Sequence, residues 1–174
     1  MGAGKLAMIQ AKVRARALNV FVSYATDDLP GIRPLLQGAT VPGVNLFVAE
    51  DKMPPGTKLT EAIEREIRTC DLFVVMWSKH AAESQWVRYE VGLASGAGRK
   101  ILPVLLDASV PLPPYLANIK YITAEQSVQS AGAQLSAVLA SDLGEKRAAR
   151  SEADAFTLTL VVLGLLVAAG IKEK

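Results

Sequence analysis

One cysteine, Cys70, and one histidine, His80, are all that 174 residues supply, so the chain can build neither an internal disulfide nor a Cys/His zinc centre from its own ligands. A lone thiol fits a reducing compartment. A Ser-His-Asp hydrolase would have to run through His80, whose neighbourhood holds no nucleophile elbow, and that class is set aside. Neither sign of charge dominates: 19 basic residues face 17 acidic ones, for a net +2. The basic excess of a dedicated nucleic-acid binder is missing, and no nucleic-acid partner is expected. Phosphate-binding motifs are missing too. Gly2-Ala3-Gly4-Lys5 lacks the full phosphate-loop spacing and a preceding strand, and Gly92, Gly96 and Gly98 make no dinucleotide fingerprint and are expected to serve close helix packing.

What the chain has is apolar residues, 51% of it, enough to bury one core of useful size and leave an appendage. They are unevenly spread. Phe156 to Ile171 carries no charge, whereas Asp142 to Asp154 carries seven. The division read from this is a basic leader over 1–17, a domain over 18–141, a charged linker over 142–153 and an apolar helix over 154–174. Sixteen uncharged residues span roughly 24 Å as a helix, at the short edge of what crosses a bilayer. Lys172 and Lys174 can snorkel at one end, and Lys146, Arg147 and Arg150 flank the other, an arrangement that keeps the domain on the cytoplasmic side of an anchor. A buried or oligomerising helix is the alternative. The leader contains Lys5, Lys12, Arg14 and Arg16 without the long apolar stretch of a secretory signal.

Between these ends strand-like and helix-like segments alternate. Leu18 to Tyr24 is β-branched and aromatic, followed by Asp27 and Asp28 as helix caps and by Leu29 to Gln37. Val44 to Ala49 is a second apolar run, closed by Pro54-Pro55-Gly56. Leu59, Ile63 and Ile67 fall at i, i+4, i+8 within Lys58 to Thr69, the pattern of an amphipathic helix. Asp71 to Trp77 and Ile101 to Leu106 are nearly continuous in apolar residues, as central parallel strands are. Ser84 caps a helix from Gln85 to about Gly96, Lys120 to Thr123 is a last short strand, and Ala124 to Leu143 a final helix. The alternation predicts an open α/β sheet, mostly parallel, with helices on both faces and its site at the carboxyl ends of the strands.

Trp86 and Glu90 stand four apart on the helix after the central strand, so an indole and a carboxylate share one face near that edge. Spacing alone favours the plainer reading, a core tryptophan and a glutamate that is solvated or paired with Arg88 or Arg99.

Taken together, FVSYATDD, the loop Glu50-Asp51-Lys52-Met53-Pro54-Pro55-Gly56, the strand DLFVVMWS and WVRYE with its W-x-x-x-E spacing resemble a Toll/interleukin receptor (TIR) domain of bacterial type over about residues 18–141. The resemblance implies a flavodoxin-like sheet of about five parallel strands with helices on both faces, to which this chain adds a C-terminal apolar helix. It also implies self-association through TIR domains. Many members are scaffolds; others cleave NAD or cyclise its ADP-ribose part, and the glutamate of W-x-x-x-E, here Glu90, marks those enzymes.

In these terms Glu90 is the catalytic residue, and Ser23, Tyr24, Asp51, Ser84 and Trp86 are the substrate-binding candidates. Asp51, Lys52, Met53, Pro54, Pro55 and Gly56 form an interaction loop that gates the pocket. NAD is the substrate rather than a cofactor, and no metal is implied. One carboxylate suffices, because nicotinamide leaves as a neutral ring from a cationic pyridinium and needs no general acid, unlike an ordinary glycoside. The implied activity is an NAD glycohydrolase or ADP-ribosyl cyclase in bacterial antiphage immunity or signalling, activated by self-assembly, with the domain cytoplasmic and tail-anchored in the inner membrane. The alternative is a non-catalytic TIR adaptor or host-interfering interaction module.

Overall fold

The computed structural model describes residues 17–48 and 59–170, with the backbone alone from 162 onward. Period-two alternation decides how the first strand, β1 (Leu18–Ser23), is used. Leu18, Val20 and Val22 enter one apolar cluster and Phe21 enters a second on the opposite face. Four strands follow: β2 (Val44–Val48), β3 (Leu72–Trp77), β4 (Lys100–Leu105) and β5 (Ile122–Thr123). All pair in parallel in the order β2-β1-β3-β4-β5. This is the flavodoxin-like arrangement, whose chain order reverses between β1 and β3 and leaves a crevice beyond their carboxyl ends. All of β3 is buried at the centre, which is why its sequence is an unbroken apolar run.

Among the described residues six helices cover the sheet: α1 (Leu29–Gly38), α2 (Leu59–Thr69), α3 (Lys79–Glu83), α4 (Gln85–Gly96), α5 (Pro114–Ala117) and α6 (Val128–Gly170). On one face α1 and the first part of α6 bury Ile32, Leu35, Leu135 and Leu139. On the other, α2 and α4 bury Ile63, Ile67, Val87 and Val91 over Phe21, whose ring stacks between Phe47 and Phe73 at centroid distances of 5.4 and 5.5 Å. Close helix packing does occur, but not at the glycines expected for it. Gly92, Gly96 and Gly98 have nothing within 4 Å of a built Cβ, and Gly98 serves a turn at φ +65°. The close approach is between α1 and α6, where a Cβ on Gly132 would lie 3.0 Å from the Leu35 carbonyl oxygen.

The charged stretch 142–153, expected as a linker, is helical: α6 runs through it without a break. Two of its charges have fixed partners at the amino ends of the strands, which holds the helix to the domain. Asp142 pairs with Lys100 at 2.7 Å, Leu143 is buried, and Lys146 reaches Asp71 at 2.6 Å and the Ala17 carbonyl at 2.8 Å. Beyond them α6 is exposed, with Phe156 and Leu158 65% and 66% accessible. Among the described residues no helix is long and apolar enough to cross a membrane. The leader up to residue 16, the side chains of 162–170 and residues 171–174 lie outside the described residues.

Candidate active site

The buried positions of α4 are Val87, Glu90, Val91 and Ala94, a stripe at i, i+3, i+4, i+7 that packs on the sheet. Three are apolar and the fourth is a carboxylic acid only 3% exposed. Charged residues are almost never buried without a partner, and β1 supplies one. Ser23 leaves the sheet on the same face as Phe21, is itself 1% exposed, and donates its hydroxyl to Glu90 Oε2 at 2.5 Å. Loss of water around the carboxyl pushes the Glu90 pKa up to about 7, against smaller opposing pulls from the Ser23 hydroxyl and the Trp86 side chain. Neither arginine considered as its partner takes it. Arg88 donates to the Ala82 carbonyl, and Arg99 to the carbonyls of Ala97 and Cys70.

One helical turn before Glu90, Trp86 leaves the buried stripe. It is 41% exposed, tilts against Tyr89 at a centroid distance of 5.6 Å, and lines an open cleft of about 430 Å³. Tyr24, Ala25, Thr26 and Asp27 form one wall; His80, Glu83, Ser84 and Trp86 form the other. Both walls are loops and helix starts that follow the carboxyl ends of β1 and β3, so the cleft occupies the crevice the strand order predicts. Tyr24 is half-buried, packing against the α1 side of the core while it lines the cleft. Ser84 lines it too, and its hydroxyl caps α4 by accepting the Val87 N–H at 3.2 Å, as expected. Ser23 and Glu90 are not in the wall. They lie behind it, next in sequence to Tyr24 and one turn from Trp86. Asp51 and the interaction loop from Asp51 to Gly56 fall outside the described residues.

Asp28 stands at the N-cap position of α1, as expected, but its side chain is used elsewhere. Its side chain makes no cap bond; it accepts the Ser78 hydroxyl at 2.5 Å and pairs with His80 Nδ1 at 2.8 Å. Ser78 in turn caps α3, accepting the Ala81 N–H at 3.0 Å. Asp28 thus staples the loop after β1 to the segment after β3, joining the two walls of the cleft. The Asp28 carboxylate bonded to His80 raises the imidazole pKa above its ordinary value, with Asp27 and Glu83 adding to the effect. No sequence motif announces this staple, since 50 residues separate Asp28 from Ser78 and only the parallel pairing of β1 with β3 brings their ends together.

A second hollow, of about 280 Å³, opens at the amino half of β1 and β2 and is lined by Asn19, Phe21, Asn45, Phe47, Glu66 and Cys70. It is remote from the strand carboxyl ends. Burial pushes the Cys70 thiol up to about 11, which keeps it un-ionised at neutral pH.

A family model described as "TIR domain" matches residues 20–139. The TIR domain of the Toll-related receptor TRR-2 from the lower metazoan Hydra magnipapillata aligns in structure with a TM-score of 0.59 and 20% identity, covering 71% of this chain and 96% of that one. The Clostridium botulinum CMP N-glycosidase BcmB aligns with a TM-score of 0.44 and 22% identity, over 69% of this chain and 97% of that one. No curated protein sequence matches. The family match spans all five strands and the cleft between the ends of β1 and β3, and the chain belongs to the TIR domain family.

Proposed function

We propose that this chain breaks the bond between nicotinamide and ribose in NAD, releasing nicotinamide together with ADP-ribose or a cyclic ADP-ribose isomer. The observation that supports the reading is Glu90, a carboxyl on the buried stripe of α4, one turn behind an exposed tryptophan that lines the cleft. A carboxyl held out of water at a cleft is matched to stabilising positive charge that develops nearby. In this reaction that charge is the oxocarbenium ion formed as the pyridinium leaves. Glu90 turns toward the cleft, accepts the hydroxyls of the nicotinamide ribose, and opposes the charge on its C1 carbon. Trp86 and Tyr24 offer flat faces for the rings, and Ser84 a hydroxyl at the same wall. Water attacking the ribose carbon gives ADP-ribose; a group of the substrate itself attacking it gives the cyclic product. Which one wins depends on how well water is excluded.

Self-association of TIR domains and the apolar tail both favour crowded copies, so the test uses the full chain, dilute and clustered on beads, incubated with NAD and resolved by chromatography. Nicotinamide is expected from the clustered parent and none from Glu90→Ala. No release from clustered protein would overturn the reading and leave the adaptor, for which Glu90 is dispensable.

A further inference from the structure

Resting on that reading, we propose that Ser23 is the positioning residue of Glu90, and that its hydroxyl yields its place on the carboxylate to a ribose hydroxyl of the substrate. Three features of the pair lead there. First, Ser23 was a candidate for touching substrate, yet it is 1% exposed and absent from the cleft wall. Second, its hydroxyl is committed to Glu90 Oε2 at 2.5 Å, a short bond to a group against which no basic side chain stands among the described residues. Third, the pair is built by two rigid elements. Ser23 ends β1 in register with Val75 of the central strand, and Glu90 is on the stripe that docks α4 to the sheet. A donor fixed in this way sets where the carboxylate waits without itself meeting the ligand.

The exchange is chemically level, since one hydroxyl donor replaces another on the same oxygen. Until substrate enters, the Ser23 hydroxyl, with a smaller pull from the Trp86 side chain, favours the ionised carboxylate that burial opposes. Once a ribose hydroxyl has taken over, Ser23 has no further part. Its removal is therefore felt by the free enzyme and not by the substrate complex, and the two are separable: the pH profile of kcat/KM reports ionisations of the free enzyme, and that of kcat those of the complex.

The experiment compares the full chain with Ser23→Ala and with Ser23→Thr, which retains the hydroxyl. In Ser23→Ala the rising limb of kcat/KM is expected to move about one pH unit toward alkali, the worth of a hydrogen bond to a charged group, while the limb of kcat stays in place. Ser23→Thr keeps both limbs where the parent has them. Limbs that both stay, or both move together, would overturn the proposal. A second readout does not depend on turnover: a carbon-13 carboxyl titration of the resting protein, with the Glu90 signal assigned by its loss in Glu90→Gln. Its midpoint is expected to rise in Ser23→Ala, and an unchanged midpoint again overturns the proposal. Should the parent release no nicotinamide while the midpoint rises, the NAD reading fails and the hold of Ser23 on Glu90 stands.

Discussion

Glu90 occupies a position that helical periodicity reserves for an apolar side chain, and the cost of that choice falls on stability in a pH-dependent way. Its pKa is about 7 in the folded chain against 4.5 for an ordinary glutamate, so between those values the folded state holds a proton that the unfolded state has lost. Stability therefore falls as pH rises from about 4.5 to about 7, and integrating the difference gives about 3 kcal/mol. Glutamine keeps the shape and can still accept from Ser23 but never ionises. Glu90→Gln is expected to lie close to the parent in thermal midpoint at pH 5 and to exceed it by about 6–12 °C at pH 8. Parallel midpoint curves for the two proteins across that range would show that the carboxyl is not held out of water. The W-x-x-x-E spacing makes Glu90 and Trp86 legible in the sequence. Their division of labour is not: Trp86, which spacing alone favours as a core anchor, is exposed on the cleft, and Glu90 is the buried one. The side chain of Asp28 was misread for a similar reason, because a carboxylate before a helix looks like a cap until the partner strand brings Ser78 beside it.

At the scale of elements, most of the architecture was legible because each segment carries its own period. Leu59, Ile63 and Ile67 mark α2, the unbroken run of β3 marks a strand covered on both faces, and Ser84 marks the start of α4. Contacts between elements leave no such mark, and the glycines show it. Nothing local separates Gly132, which lets α6 approach α1, from Gly92, which approaches nothing. They should part on substitution. Gly132→Ala sets a Cβ 3.0 Å from the Leu35 carbonyl, where neither backbone can yield freely. Overpacking of that kind costs about 1–3 kcal/mol, more than the helix propensity gained by alanine. Gly92→Ala meets open space on an exposed helix face and is expected to stabilise by about 0.5–1 kcal/mol. Denaturant midpoints moving in opposite directions would bear this out. A stabilised Gly132→Ala would mean that α1 and α6 are not pressed together there.

Over the whole molecule, α6 links the two ends of the sheet's polarity. Its partners Ala17, Asp71 and Lys100 all stand at or beside the amino ends of strands, whereas the cleft lies beyond the carboxyl ends of β1 and β3. The helix thus leaves the domain on the side opposite the cleft. A helix of 43 residues is about 65 Å long, and roughly half of it lies past Lys146. The sequence hid this continuity, because seven charges before an uncharged run look like a boundary until Lys100 and Asp71 are seen to hold two of them. The geometry gives the tail a specific consequence. If residues 156–171 enter a lipid surface, the domain stands off it with its cleft facing solvent, so tethering concentrates copies without covering the site. The full chain is expected to float with anionic phospholipid vesicles, and a chain ending at Ser151, which keeps every docked residue of α6 through Lys146, is expected to stay in the dense fraction with an unchanged fold. Nicotinamide release per molecule should rise on vesicles for the full chain alone. Flotation without any rise would separate the tail from activation, and a full chain that stays in the dense fraction as a larger oligomer would assign residues 156–171 to helix–helix contact instead.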